Sequence, residues 1–367
     1  MFLERFSIIN FKNIKQAELT FSHKMNCLVG QNGVGKTNVL DAIYYLSFCK
    51  SALNSVDSQN ICHDADFFLL QGHYLDSDTG RGEDISCGLK RNHRKIFKRN
   101  GKEYNKLSEH IGHVPLVMIS PHDIELIIGG GEERRKFMDI VISQYDSDYL
   151  YEEIKYKKAL KQRNALLKQD PPADADYISV YENVMAQSGE HIHTVRQEFL
   201  NDFTPLMQSI YSQLADSSES ISLDYVSNCQ SGQLLRQIQE SRMKDTILGF
   251  SLCGVHRDDL EMTLGGYPIR REGSQGQSKT YLAALKLAQF EFIKMKSGQI
   301  PLLLLDDIFD KLDASRVDKI LKLVSQDTFG QIFITDTDRN YISEMVNHTG
   351  MDARIFEISG GTVINEI

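Results

Sequence analysis

The chain has 367 residues, with 41 Lys plus Arg against 50 Asp plus Glu, for a formal net charge of −9. Hydrophobic residues make up 41% and charged residues 25%, which excludes a disordered polyelectrolyte and allows a large core plus a second lobe. The negative balance argues against coating nucleic acid with the whole surface but permits a local basic groove.

Taken in chain order, residues 1–29 alternate as paired strands through Phe2, Phe6, Ile8 and Phe11, then Leu19, Phe21 and Met25, with Lys12 and Asn13 at the turn between them. Nothing at the N-terminus resembles a signal peptide: Glu4 and Arg5 place charge too early and no apolar run follows. Met25–Val29 reads as a buried strand. It leads into Gly30-Gln31-Asn32-Gly33-Val34-Gly35-Lys36-Thr37-Asn38, and a helix with apolar spacing follows. Gly-x-x-x-x-Gly-Lys-Thr is the phosphate-binding loop. Glycines let successive backbone N–H groups converge on phosphate oxygens, and the helix behind adds favourable potential for an anion. In that reading Lys36 reaches the β and γ phosphates of ATP and the Thr37 hydroxyl ligates Mg²⁺.

The six cysteines (Cys27, Cys49, Cys62, Cys87, Cys229, Cys253) form no C-x-x-C pair, as expected of free thiols in a reducing compartment. Residues 66–120 read as strands with turns at Asp78-Thr79-Gly80 and Asn100-Gly101. Between Lys90 and Lys102, seven of thirteen residues are Lys or Arg and none is acidic. Two readings stand there: a solvated hairpin edge protected by charge, or a patch that tracks nucleic-acid phosphates through Lys90, Arg91, Arg94, Lys95, Lys98 and Arg99.

From about Ile124 the pattern turns helical, with Glu132–Val141, Tyr151–Lys168, a break at Pro171-Pro172 and a long stretch over Asp176–Leu214 that Pro205 should kink or divide. His191 and His193 lie two apart on that helix, on different faces, and read as surface histidines rather than metal ligands. After a polar stretch over 216–245, Gly254–Leu260 precedes a strand. Gly273-Ser274-Gln275-Gly276-Gln277 then opens a helix to about Lys296. Leu302–Leu305 is too short to span a bilayer and reads as a buried strand ending in Asp306 and Asp307, followed by Lys311-Leu312-Asp313; Gln331–Thr335 is a further buried strand. Asp306 would hold Mg²⁺ at a Walker B position and Asp307 would orient the attacking water.

The order of loop, Ser-Gln-Gly-Gln, acidic strand and Leu-Asp resembles the ATP-binding-cassette class. The resemblance implies an α/β P-loop head, with a mixed central sheet, flanking helices and an antiparallel β subdomain, plus a helical arm. It also implies that the signature of one subunit covers the nucleotide of another, as part of an ATP-dependent homodimer. Further runs narrow it. Ile9–Asn13, Ser120-Pro121-His122-Asp123, Glu133–Phe137, Leu160–Lys168 and His256–Leu260 together resemble the bacterial RecF family along nearly the whole chain. Lys12 stands where that family usually has Arg, His122 where it has an acidic residue, and Val255 where it has Pro.

The resemblance implies a head at 1–123 and 246–367 and an arm at 124–245. It implies a cytoplasmic protein of recombinational repair and replication restart that supports SOS induction and makes no membrane contact. It would bind ATP and Mg²⁺ and hydrolyse ATP weakly as a DNA-stimulated switch. DNA at gaps and single-strand/double-strand junctions and partners of the RecR and RecO type would be its company. Residues 30–38 with Lys12, Asn13, Ser274, Gly276, Gln277 and Asp313 would contact the nucleotide, with Lys36, Asp306 and Asp307 catalytic. The basic hairpin would then contact DNA. The rival readings are a transporter cassette, a chromosome-organising ATPase with long arms, and a metabolic kinase.

Overall fold

The computed structural model describes residues 1–76, 79–170, 174–215, 219–308, 314–324 and 328–366. They form two compact units, Met1–Asp123 with Gln289–Ile367, and Ile124–Ala288. The second unit therefore runs past the arm boundary expected at 245.

The first unit begins with β1 (Phe2–Phe11), β2 (Ile14–Thr20), β3 (Met25–Val29) and helix α1 (Lys36–Phe48). Strands β4 (Phe67–Leu75), β5 (Gly82–Lys90), β6 (Ile96–Arg99), β7 (Lys102–Glu103) and β8 (Leu116–Ile119) follow. An antiparallel sheet has the order β2-β1-β4-β5-β6-β7. Its strands alternate buried and exposed positions, as one-sided burial requires. The β6–β7 turn uses Asn100 and Gly101, both at positive φ, the geometry that an Asn-Gly hairpin favours.

The second unit contains α2 (Glu125–Ile128), α3 (Gly131–Ile142), α4 (Ser147–Leu167), α5 (Ala175–Leu214), β9 (Ile221–Val226), α6 (Leu234–Leu248), β10 (Asp259–Leu264), β11 (Tyr267–Pro268) and α7 (Ile269–Glu272). Helix α8 (Gln275–Ser297) carries the chain back to the first unit, through β12 (Leu302–Asp306), α9 (Ala314–Val324), β13 (Ile332–Asp336), α10 (Arg339–Thr349), β14 (Ala353–Ser359) and β15 (Thr362–Glu366).

These strands complete a second sheet of order β15-β14-β3-β13-β12-β8, parallel except for β15. Strands β3, β8, β12 and β13 are buried at every position, which explains their unbroken apolar runs. The register aligns Leu28 with Thr335 and Thr335 with Asp306, so the glycine loop and the acidic residues emerge at one edge. Gln331, 2% exposed, joins the two sheets: its amide accepts from the Leu3 N–H and donates to the Leu3 and Ser22 carbonyls, each at 2.8 Å. Phe21 adds edge-on contacts to Phe333 and Phe356. The class is the expected α/β head with an antiparallel subdomain and a helical lobe.

Pro205 does not divide α5, which runs unbroken for 40 residues. The flanking turns bury Phe199, Leu200, Phe203, Met207, Ile210 and Tyr211, and that apolar burial outweighs the roughly 3 kcal/mol cost of an internal proline. His191 is exposed as expected, but His193 is buried with its ring 5.4 Å from that of Tyr225. Strand β9 and helix α6 replace the polar stretch expected over 216–245.

Charged residues inside the second unit are paired. Arg163 is fully buried and donates to Glu182 at 2.9 and 3.2 Å, to Asp245 at 2.7 Å and to Ser251 at 2.7 Å, tying α4 to α5 and α6. Replacing Arg163 with Met leaves the buried Glu182 to Arg242 and the buried Asp245 to Ser241 and the Leu252 N–H, with their main buried cation gone. Urea unfolding should show a loss of about 3 kcal/mol or more, and a loss below about 1 kcal/mol would rule out this keystone role.

Candidate functional site

The glycine loop lies between the end of β3 and the start of α1. Gly30 has φ 154° and Gly35 φ 117°, values that disfavour other residues. A Cβ at Gly30 would collide with the Ile358 carbonyl, and one at Gly35 would lie 2.9 Å from Asn13 Oδ1. The β1–β2 turn and the β14–β15 turn thus back the loop. Asn13 Nδ2 donates to the Gly33 carbonyl at 3.4 Å, Asn38 Nδ2 donates to Asn13 Oδ1 at 2.7 Å, and the Gly361 N–H donates to the Val34 carbonyl at 2.9 Å. Gln31, Asn32 and Gly33 are exposed at the crest, while Lys36 is buried with its ammonium donating to the Gly30 and Gln31 carbonyls at 2.6 and 3.0 Å.

Thr37 Oγ1 donates to Asp306 Oδ1 at 2.9 Å, joining residues 269 apart in the chain. Thr335 Oγ1 donates to the same oxygen at 2.8 Å and accepts from the Asp307 N–H at 2.9 Å. Burial pushes the Asp306 carboxyl above its ordinary range; the two hydroxyl hydrogen bonds oppose that rise and the Asp307 charge adds to it. Asp307 Oδ1 is buried with no hydrogen-bond partner among the described residues. These features fit a magnesium nucleotide: glycines bring the loop backbone close, a lysine and a threonine follow, and one carboxylate oxygen lacks a donor.

Lys12 belongs to a different arrangement. Its φ is 53°, and its ammonium lies 2.7 Å from the fully buried Asp41 carboxylate on α1. Asp41 also accepts from Ser51 Oγ at 2.6 Å and the Ala52 N–H at 2.7 Å. Lys12 therefore braces α1 against the β1–β2 turn, whereas Asn13 touches the loop. Asp313, with Lys311 and Leu312, lies outside the described residues.

Ser274 and Gln277 form a reciprocal cap at the start of α8. The Ser274 N–H donates to Gln277 Oε1 at 2.8 Å, and the Gln277 N–H donates to Ser274 Oγ at 3.2 Å. Ser274 is exposed and Gly276 half-buried, and Gln277 also donates to Glu219 at 2.9 Å.

The basic hairpin splits. Lys95 points inward: its ammonium donates to Asp57 Oδ2 at 2.7 Å, to the Tyr45 hydroxyl at 3.1 Å and to the Cys49 carbonyl at 2.5 Å, at the C-terminal end of α1. Arg99 pairs with both Glu83 oxygens, at 2.5 and 3.0 Å, and Arg91 donates to the Ala65 and Cys62 carbonyls. Although burial works against its charge, Glu83 is held below the usual carboxylate range by Arg99 and His113. Lys90 and Lys98 are exposed, and Arg94 is 82% exposed with one pairing to Glu103. Of the six candidates, Lys90, Arg94 and Lys98 are exposed, whereas Arg91, Lys95 and Arg99 are partly buried.

The remaining motif residues are structural. His256 accepts from the Tyr156 hydroxyl at 2.7 Å and donates to the Ser251 carbonyl at 3.0 Å, so the ring is neutral; burial pushes its pKa down to about 4. Asp258 is buried and receives Ser227 and Tyr225 hydroxyls and Arg196, and Asp259 is bidentate with Arg134 at 2.7 and 2.9 Å. Sequence reasoning missed Thr335, Asp41 and Gly361, whose roles depend on elements that meet only in the folded sheet.

Three comparisons bear on this site. The family described as the RecF/RecN/SMC N-terminal domain matches residues 2–357. A DNA replication and repair protein RecF of Bacteroides fragilis is 56% identical over 367 residues, covering 100% of this chain and 99% of its own. That of Phocaeicola vulgatus is 57% identical over 364 residues, covering 99% and 98%. A solved structure of the recombination mediator protein RecF-ATPrS in the RecFOR pathway is 30% identical with a TM-score of 0.89, covering 100% of this chain and 98% of its own. An Smc head bound to the C-winged helix domain of ScpA, at 17% identity and a TM-score of 0.59, covering 100% and 98%, shares the fold alone.

Lys95→Met removes the inward cation and should destabilise the protein by about 1–3 kcal/mol in urea, whereas Lys98→Glu should change stability by less than about 0.5 kcal/mol. Equal effects of the two substitutions would refute the split.

Proposed function

The chain belongs to the RecF family of DNA replication and repair proteins, and from that premise we propose that it is an ATP-dependent DNA-binding switch of recombinational repair and replication restart. The observation that carries the reading is the meeting of Thr37 and Asp306 behind a backed glycine loop. It supports binding of ATP with Mg²⁺, which neutralises phosphate charge when bound. Lys36 would exchange its two loop carbonyls for phosphate oxygens. Thr37 and Asp306 would hold the ion, and Asp307 would orient the attacking water. The likeness to solved RecF-ATPrS and RecF-ATP complexes supports the nucleotide assignment.

Hydrolysis is weak, stimulated by DNA, and opens the switch. Two copies pair with two nucleotides between them. Ser274 and Gly276, at the exposed start of α8, then complete the phosphate face of the other copy's loop, where backbone N–H groups and a hydroxyl suit an anion. Lys90, Arg94 and Lys98 track phosphates at gapped or junction DNA, and RecR- and RecO-type partners join the protein to load recombinase, supporting SOS induction. The recombination-mediator role named for the solved relative supports that assignment. The setting is cytoplasmic.

Two rivals are weaker. Against a transporter cassette stand the signature, which begins Ser274-Gln275-Gly276-Gln277, and Thr335-Asp336-Thr337, where transporters generally place a switch histidine. The 40 residues of α5 extend about 60 Å, short of the long arms of a chromosome-organising ATPase.

Sedimentation with ATP and gapped DNA should show pairing of the wild type that Lys36→Arg and Ser274→Arg both abolish, while Ser274→Thr keeps the helix cap and pairs. Persistence of the dimer in both arginine variants would remove the sandwich. Charge reversal at Arg94 or Lys98 should weaken DNA binding and lower its salt slope by about 1 per contact. An unchanged affinity and slope would return the hairpin to a solvated edge.

A further inference from the structure

We propose that Thr335 is a positioning residue for ATP hydrolysis, its one hydroxyl setting the orientation of both Asp306 and Asp307. The inference rests on the hydrolytic reading above. Thr335 is the penultimate residue of β13, the strand between β3 and β12, and is fully buried. A backbone N–H can only donate, so the 2.9 Å contact from the Asp307 N–H makes Thr335 Oγ1 the acceptor. Its single proton is left for Asp306 Oδ1, 2.8 Å away. The polarity of the hydroxyl is thereby fixed by geometry.

Packing does not call for that hydroxyl. The preceding residues of β13, Ile332, Phe333 and Ile334, are fully buried and apolar, and valine is β-branched as threonine is, differing at the hydroxyl. The residue that the hydroxyl restrains is unusual in two ways. Asp307 has φ 50°, a left-handed conformation costing about 1–2 kcal/mol for a residue with a side chain. Its Oδ1 is buried without a hydrogen-bond partner among the described residues. A carboxylate oxygen kept from water with no donor, on a backbone held out of its preferred region, is arranged for a partner that arrives from outside the chain. The anchor against relaxation comes from the next strand, through Thr335. Because the same hydroxyl also donates to Asp306 Oδ1, which receives Thr37 as well, both acidic residues are referenced to one point.

The test compares Thr335→Val, which removes the hydroxyl and keeps the β-branch, with Thr335→Ser, which retains the hydroxyl. With DNA present, the valine variant should lose about tenfold or more in kcat with KM for ATP within about twofold, and the serine variant should stay within about threefold of the wild type. In the nucleotide-free proteins, amide exchange of the segment Leu305–Ile308 should quicken with valine and remain at the wild-type rate with serine. Wild-type kcat in the valine variant, equal loss in both variants, or unaltered exchange in the valine variant would each overturn the assignment. If the wild type itself turns over no ATP with DNA, the hydrolytic reading falls and the positioning role falls with it. Turnover that is normal in the wild type and in Thr335→Val overturns the role of Thr335 alone.

Discussion

One carboxylate oxygen, Asp306 Oδ1, is where the first unit is tied together. It accepts hydroxyl hydrogen bonds from Thr37 on α1 and Thr335 on β13, so the helix behind the glycine loop and two neighbouring strands meet at a single atom. The strands that deliver these groups are apolar and buried, and the charge sits at the rim of a low-dielectric layer. That position raises the affinity of the carboxylate for a proton. The loop in front holds its shape because Asn13, Gly361 and Ile358 occupy the space behind it.

The second unit follows the opposite logic. Its conspicuous polar residues are consumed internally. Arg163 and Asn164 hold the α4 helix to Glu182, Asp245 and Ser251, and Arg196 joins Tyr149, Asp139, Val255 and Asp258. His256, Asp258 and Asp259 resemble an acid–base group by composition, yet their hydrogen-bonding capacity is spent on the fold. In this unit, surfaces available for work with another molecule include the exposed Ser274 at the start of α8.

What the sequence made legible follows from the range of the forces involved. The glycine loop, the Asn-Gly turn, the acidic strand end and the helix cap at Ser274 depend on local backbone demands, so short motifs reveal them. The link from Thr335 to Asp306 and Asp307 is not legible in the sequence, because it forms when β13 pairs with β12. The split within the basic hairpin is hidden from the sequence for a similar reason. Lys95 turns inward to Asp57 and the half-exposed Arg99 pairs with Glu83, acidic partners that lie 38 and 16 residues away in the chain. A count of charges along the segment cannot distinguish them from Lys98. Helix α6 escaped because it buries little beyond Leu234, Ile238 and Asp245 and exposes Met243 and Ile247, which blurs the helical stripe.

The central claim is that a working nucleotide site is shared between two copies, the loop from one and the Ser274 cap from the other. Mixing a Lys36→Arg chain with a Ser274→Arg chain tests it most directly. A mixed pair holds one intact composite site, formed by the unaltered loop of the second chain and the unaltered signature of the first. Each variant alone should turn over no ATP with DNA, and the mixture should recover activity, with one nucleotide retained per pair. A mixture as inactive as its components would contradict the shared site.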